Sequence, residues 1–406
     1  MNQRTATSFG LVLTIVLVGI NLRPFMTGPG PLIDDIIQTT GMSYQGISLL
    51  TLLPMLLMGI GALIVPALNQ RLGDRIGLTI AMFLLLIGSM SRFFVTTGSQ
   101  LLLTAFVCGV GAAYIQSVFP GLIKLRFPTK MAAMTGLYSS MLMVGGAIGA
   151  QLTPIISGVT CHELNQTNSC ITGHWQAALA FLALPAIFAL IAVVMNIRSS
   201  ATRKNSGQWS VLSFLNKPRA WLLMIGFGLI NAGYGTVVTW LAPFFIEQGM
   251  SSADSGSLVA LLSIFQALSA LLIPILASHN IDRRFWLVVT LTSQLIGFAG
   301  LWLLPNMLPY LWVCLIGVGL GGCFALSIIT SLDHLPHPVS AGALTSLMQA
   351  GGFILAAFGP LFAAWLHEIS QSFAWVWIAH ILMILITLLL FLRLNPRHYA
   401  KLFSVK

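Results

Sequence analysis

Apolar stretches long enough to cross a bilayer recur twelve times along the 406 residues, with short polar breaks between them. They fall near residues 9–33, 44–68, 78–96, 99–123, 131–158, 175–197, 220–246, 255–278, 285–304, 309–332, 340–366 and 373–394. Roughly 20 apolar residues of helix match the hydrocarbon thickness of a membrane. Lipid offers no partner to a backbone N–H or C=O, so a crossing segment must satisfy these groups itself. Barrel strands do so only with alternating polarity, which these continuous runs lack. Charged residues make up 7% of the chain, against roughly 25% in a soluble domain. The predicted class is therefore an all-α integral membrane protein with 12 transmembrane helices.

The basic residues test both the count and the orientation. With the N-terminus inside and twelve crossings, 17 of the 19 Lys and Arg residues fall on the cytoplasmic side, and only Arg23 and Arg92 are left over. Cytoplasmic loops carry such an excess, and one miscounted span would scramble it. Both termini are expected in the cytoplasm. The first span begins with Arg4 and the apolar run 9–20, as a signal peptide would. It is read as a helix, because Asn21-Leu22-Arg23-Pro24 follows where a small-x-small cleavage site would stand.

The two halves resemble each other. Span 5 reads Gly136-x3-Ser140-x4-Gly145-Gly146-x3-Ala150-x3-Pro154, and span 11 repeats it from Gly342 to Pro360 at an offset of 206. Gly109-Val110-Gly111 returns as Gly317-Val318-Gly319 at offset 208, and Ile20-Asn21 as Ile230-Asn231 at offset 210. The reading is two pseudo-symmetric six-helix bundles, 1–197 and 220–406, joined by a basic linker, 198–219. A solute site is expected between them near the midplane. Small residues in such stripes also serve plain helix packing.

Several function classes are excluded. There is no Walker loop, zinc spacing or paired catalytic carboxylate, so neither enzyme activity nor a cofactor or metal is expected. The net charge of +10 sits in membrane-flanking loops and not on a polar helix, which argues against nucleic acid. The chain is expected to act as a monomer. Cys161 and Cys170 share the one sizeable outer loop. They can form a disulfide in an oxidising compartment or stay free thiols.

Ionisable groups inside the hydrocarbon are costly and mark candidate sites. Arg23 stands about 21 Å along the first helix, near the midplane. It shares a face with Gly19 and Thr27, just before Pro24–Pro31 (PFMTGPGP), which weakens the helix. A fixed guanidinium beside a broken helix suits an anionic solute, the other reading being a structural pair with Asp34 or Asp35. Arg92, near a helix end, is expected to snorkel. Gln116, Asn231 and Tyr234 can bind a solute or glue helices, as can Gln266 and Gln349. Asn21 lines the same cavity as Arg23 only if the helix is distorted there. His380 is read as a packing residue.

Leu72-Gly73-Asp74-Arg75-Ile76-Gly77 resembles the loop motif between helices 2 and 3 of the major facilitator superfamily, with Gln70 in place of its leading glycine and Leu78 and Thr79 in place of its trailing basic residues. Asp282-Arg283-Arg284 looks like a degenerate second copy. A narrower resemblance rests on Gly19–Pro24, Gly228–Tyr234, Ser255–Leu258 and Leu332-Asp333-His334. These are similar to the cyanate/nitrate porter branch, the bacterial cyanate permeases in particular, a branch that includes a 2-nitroimidazole transporter. The resemblance implies an inner-membrane porter of a small anion, with Arg23, Asn21, Gln116, Asn231 and Tyr234 around the solute and Gly73, Asp74, Arg75 and Gly77 as a conformational motif. It leaves open a carrier of small neutral heteroaromatic compounds.

Overall fold

The computed structural model describes residues 3–164, 175–197, 211–250 and 252–399. The helices are α1 (Gln3–Ile20), α2 (Pro24–Thr27), α3 (Ile33–Thr40), α4 (Tyr44–Met90), α5 (Gly98–Arg126), α6 (Met131–Leu164), α7 (Trp175–Phe181) and α8 (Leu184–Asn196) in the first half. In the second they are α9 (Pro218–Glu247), α10 (Ser252–Ala277), α11 (Arg284–Leu303), α12 (Pro309–Asp333), α13 (Pro338–Ala357), α14 (Gly359–Ser370) and α15 (Ala374–Leu392). Residues 198–210 of the expected linker, Cys170 and the side chain of Cys161 lie outside the described residues.

Among the described residues 11 helical segments are long and apolar enough to cross a membrane. One of them, Gly46–Phe94, is 49 residues long. At 1.5 Å per residue it reaches about 70 Å, enough for two crossings of a core about 30 Å thick. The protein is thus a multi-pass membrane protein with twelve crossings. The polar turn expected between the second and third is absorbed into α4, which departs from helical backbone at Gly73 (φ 74°, ψ 160°). That region of backbone space is essentially reserved for glycine. Two other crossings are split at prolines. Pro185 stands in the first turn of α8 and Pro360 in that of α14, where a missing N–H costs nothing but stops the preceding helix.

Contacts between the halves follow the repeat. α4 packs on α13 and α6 on α10, while α5 meets α13 and α12 meets α6. Each contact of a pair maps onto the other when the halves are exchanged, as a parallel repeat requires. Glycines set the approach: a Cβ on Gly59 would stand 2.9 Å from the Ala350 carbonyl oxygen, and one on Gly136 would stand 3.0 Å from that of Ala270. Without a hydrophobic drive in lipid, such close packing is what holds membrane helices together.

The halves are joined at the end carrying the basic loops. Lys124 Nζ donates to the carbonyls of Leu332 and Leu335, the latter at 2.7 Å. Nearby, Ser346 Oγ donates to Ser117 O at 3.4 Å. Asp333, beside Leu332, pairs with Arg283 at 3.1 Å. His334 donates from Nδ1 to Thr330 O at 2.6 Å and stacks on Tyr399 with ring centroids 3.7 Å apart. Leu332-Asp333-His334 therefore ties the first half, the α10–α11 loop and the C-terminal segment together.

Candidate functional site

Arg23 stands in a real break of the first crossing. α1 ends at Ile20, and Asn21 and Leu22 donate backward over three residues, to Val18 O (3.1 Å) and Gly19 O (3.2 Å). Pro24 then starts α2, and its missing N–H cannot continue α1. The break is clamped by the glycine stripe of α6. A Cβ on Gly145 would lie 2.0 Å from Ile20 O, and one on Gly149 would lie 2.7 Å from Pro24 Cα. Thr27 Oγ1 donates to Gly146 O at 2.8 Å, and Thr153 Oγ1 donates to Gly28 O at 2.9 Å. The face predicted to carry Gly19, Arg23 and Thr27 is the face seated on α6.

From this anchor the Arg23 side chain crosses to the second half. It is 3% exposed, and its guanidinium carbon lies 4.3 Å from the ring centre of Tyr234 on α9 and 5.8 Å from that of Phe324 on α12. Ring faces attract a cation but leave its hydrogen-bond donors free, and Nε has no partner. No carboxylate pairs with Arg23 among the described residues, so the structural pairing with Asp35 does not form, and the side chain of Asp34 lies outside the described residues.

Gln116 is buried on α5 with neither amide atom hydrogen-bonded. At the 208-residue offset it corresponds to Phe324, so the repeat puts a polar residue in one half where the other presents a ring to Arg23. Asn21 and Asn231, repeat mates at offset 210, behave alike. Asn21 Nδ2 donates to Leu17 O at 2.7 Å, and Asn231 Nδ2 donates to Phe227 O at 2.8 Å. Each amide thus steadies its own helix. Asn21 and Arg23 are both buried at the break.

Two residues near Arg23 escaped sequence reasoning. Phe324 reads as ordinary core. Tyr138 on α6 is fully buried, stacked on Phe119 at 5.3 Å, with its backbone carbonyl against Gly19 of α1. Single aromatics on helical faces carry no signal that separates them from packing. Arg92 departs from its expected snorkelling. It is 0% exposed, donating from Nε to Thr104 Oγ1 at 3.3 Å within the first half. His380 stacks on Phe298 (5.3 Å), as a packing residue would.

The loop motif forms a local network. Asn69 Nδ2 donates to Asp74 at 2.8 Å, and Tyr114 of α5 donates to Asn69 Oδ1 at 2.6 Å. Gly77 admits the Tyr114 hydroxyl, which a Cβ would overlap. Arg75 is exposed.

The sequence profile of the Major Facilitator Superfamily matches residues 11–355. The cyanate transport protein CynX of Escherichia coli K12 is 38% identical over 97% of this chain and 99% of that protein. The 2-nitroimidazole transporter of the same organism is 29% identical over 90% of each. Among solved structures, the proton:xylose symporter XylE superposes with a TM-score of 0.78 at 12% identity, over 95% of both chains. That likeness concerns the fold.

Proposed function

The chain belongs to the Major Facilitator Superfamily, and from that membership we propose that it carries a small anion, cyanate in the first place, across the bacterial inner membrane by alternating access. One observation carries the reading: a buried guanidinium near the midplane, facing no carboxylate among the described residues and with a free donor, spans from one half to the other. An uncompensated cation at that depth is costly, and an anion entering between the halves would offset it. Cyanate is linear and small enough to reach the free edge of the Arg23 guanidinium beside the rings of Tyr234 and Phe324. Asn21, Gln116 and Asn231 supply polar lining.

The 38% identical cyanate transport protein supports the same solute. The basic loops, gathered at one end, support placing both termini in the cytoplasm. Halves bounded at 1–197 and 220–406 would rock about the Arg23 contact. Gly73, Asp74, Arg75 and Gly77 would restrain the first half through the Asn69–Tyr114 network.

A second reading, a carrier of small neutral heteroaromatic compounds, draws on the two rings beside Arg23. Proteoliposomes decide between them. Under the lead reading, uptake of labelled cyanate exceeds that of protein-free vesicles and excess 2-nitroimidazole does not compete. Uptake of 2-nitroimidazole without cyanate uptake replaces it with the second.

A further inference from the structure

Tyr138 has a hydroxyl that the fold does not use. The side chain is 0% exposed and its oxygen has no hydrogen-bond partner. Burying such a group unpaired leaves its desolvation uncompensated, while phenylalanine would fill the same space without that cost. The ring is fixed by Phe119, whose plane lies 24° from its own, and the same turn of α6 packs on α1, where a Cβ on Gly19 would stand 3.2 Å from Tyr138 O. The hydroxyl is therefore rigidly held where α6 packs on α1, and Gly19, which meets Tyr138, lies one helical turn before Arg23 on the same face. One helical turn before Phe119 on α5 stands Gln116, also unpartnered, and positions three apart share a helix face.

The repeat sharpens the point. At offset 206 Tyr138 corresponds to Leu344, and at offset 210 Arg23 corresponds to Gly233. The repeat mates of Arg23 and Tyr138 are thus apolar, while Tyr234 and Phe324 of the second half turn ring faces to Arg23. Such asymmetry suits one small ligand gripped by polar donors on one side and an apolar wall on the other.

We infer that Tyr138 is a specificity-determining residue, donating its hydroxyl to the anion held by Arg23 and selecting small monoanions whose terminal atoms accept hydrogen bonds strongly. The inference rests on the anion reading above. The guanidinium senses charge; the hydroxyl can bond either terminus of cyanate, whereas thiocyanate offers it only the nitrogen end, its sulfur accepting weakly.

The test is Tyr138→Phe in proteoliposomes, with the melting temperature of the purified protein followed in parallel. The variant is expected to melt at or above the native temperature without solute. Its KM for cyanate should rise about tenfold, the worth of one hydrogen bond to a charged group, with the maximal rate kept. Its preference for cyanate over thiocyanate should narrow. A purely structural role would lower the melting temperature and the maximal rate and leave that preference unchanged. Native KM and preference in Tyr138→Phe, with uptake lost in Arg23→Ala, overturn the inference and leave the anion reading standing. Absence of cyanate uptake by the native protein overturns the anion reading itself, and the inference with it.

Discussion

Gly145 and Gly146 are neighbours on α6, yet alanine should act oppositely at the two. At Gly145 the new methyl would lie 2.0 Å from Ile20 O and 2.8 Å from Ile20 C. Both are backbone atoms at the end of α1, so no rotamer change relieves the clash, and the helices must part by more than an ångström to regain van der Waals contact. At Gly146 the nearest atoms are Arg23 Cβ and Thr27 Cγ2, both at 3.5 Å, an ordinary contact. Overpacking at Gly145 costs about 1–3 kcal/mol, partly offset by about 1 kcal/mol from alanine's better helix propensity. The net destabilisation should be about 0–2 kcal/mol. Geometry should suffer more, because the displaced segment carries Arg23. A misplacement of about 1 Å in an aligned site can cost a hundredfold. Gly145→Ala is therefore expected to reach the membrane at near-native levels with solute uptake down by one to two orders of magnitude. Gly146→Ala, although its methyl touches Arg23 directly, is expected to transport like the native protein. Uptake by reconstituted vesicles, normalised to folded protein, reads both. Native activity in Gly145→Ala, or loss confined to Gly146→Ala, would refute the claim that the glycine stripe positions the break.

Three further outcomes follow from the basic end. Lys124→Met removes the donor to Leu332 O and Leu335 O and should favour opening there by about 1–2 kcal/mol. A cysteine placed at Ser346, in a background without native cysteines, should then label roughly tenfold faster with an impermeant reagent, and an unchanged rate would deny the latch. Burial holds the His334 imidazole down at about 4, so the neutral ring is the stable one. Its contribution is complete above an ordinary histidine pKa of about 6.5 and is lost as pH falls toward 4. His334→Phe should flatten the fall in melting temperature between those values, and a parallel curve would contradict this. Gly73→Ala forces a side chain into the φ 74°, ψ 160° backbone at about 1–3 kcal/mol. Melting temperature and uptake should both fall, whereas Arg75→Ala, at an exposed side chain, should leave melting unchanged.

The architecture was legible because bilayer thickness and backbone hydrogen bonding leave a chain this apolar few choices. The span boundaries, the repeat and the break before Pro24 all follow from local composition. Arg23 was legible for the same reason, a charge where charge is expensive. Its partners were not. Tyr234 could be picked from its spacing with Asn231, but Phe324 reaches Arg23, and Tyr138 comes to lie against α1, only through packing between helices distant in sequence. The break between the second and third crossings was legible too: residues 69–75 read as a polar turn, and two helices meet there at a kink where Gly73 alone leaves helical backbone. Arg92 near a helix end suggested snorkelling, and only the packing of α4 against α5 reveals its burial.

The central claim, that Arg23 is the anion ligand, is tested most directly by uptake of labelled cyanate into proteoliposomes holding native protein, Arg23→Ala or Arg23→Lys at matched insertion. The account predicts uptake by the native protein and its loss in both variants, since a lysine keeps the charge but not the guanidinium fork that reaches Tyr234. Uptake by Arg23→Ala at the native rate and KM would contradict it.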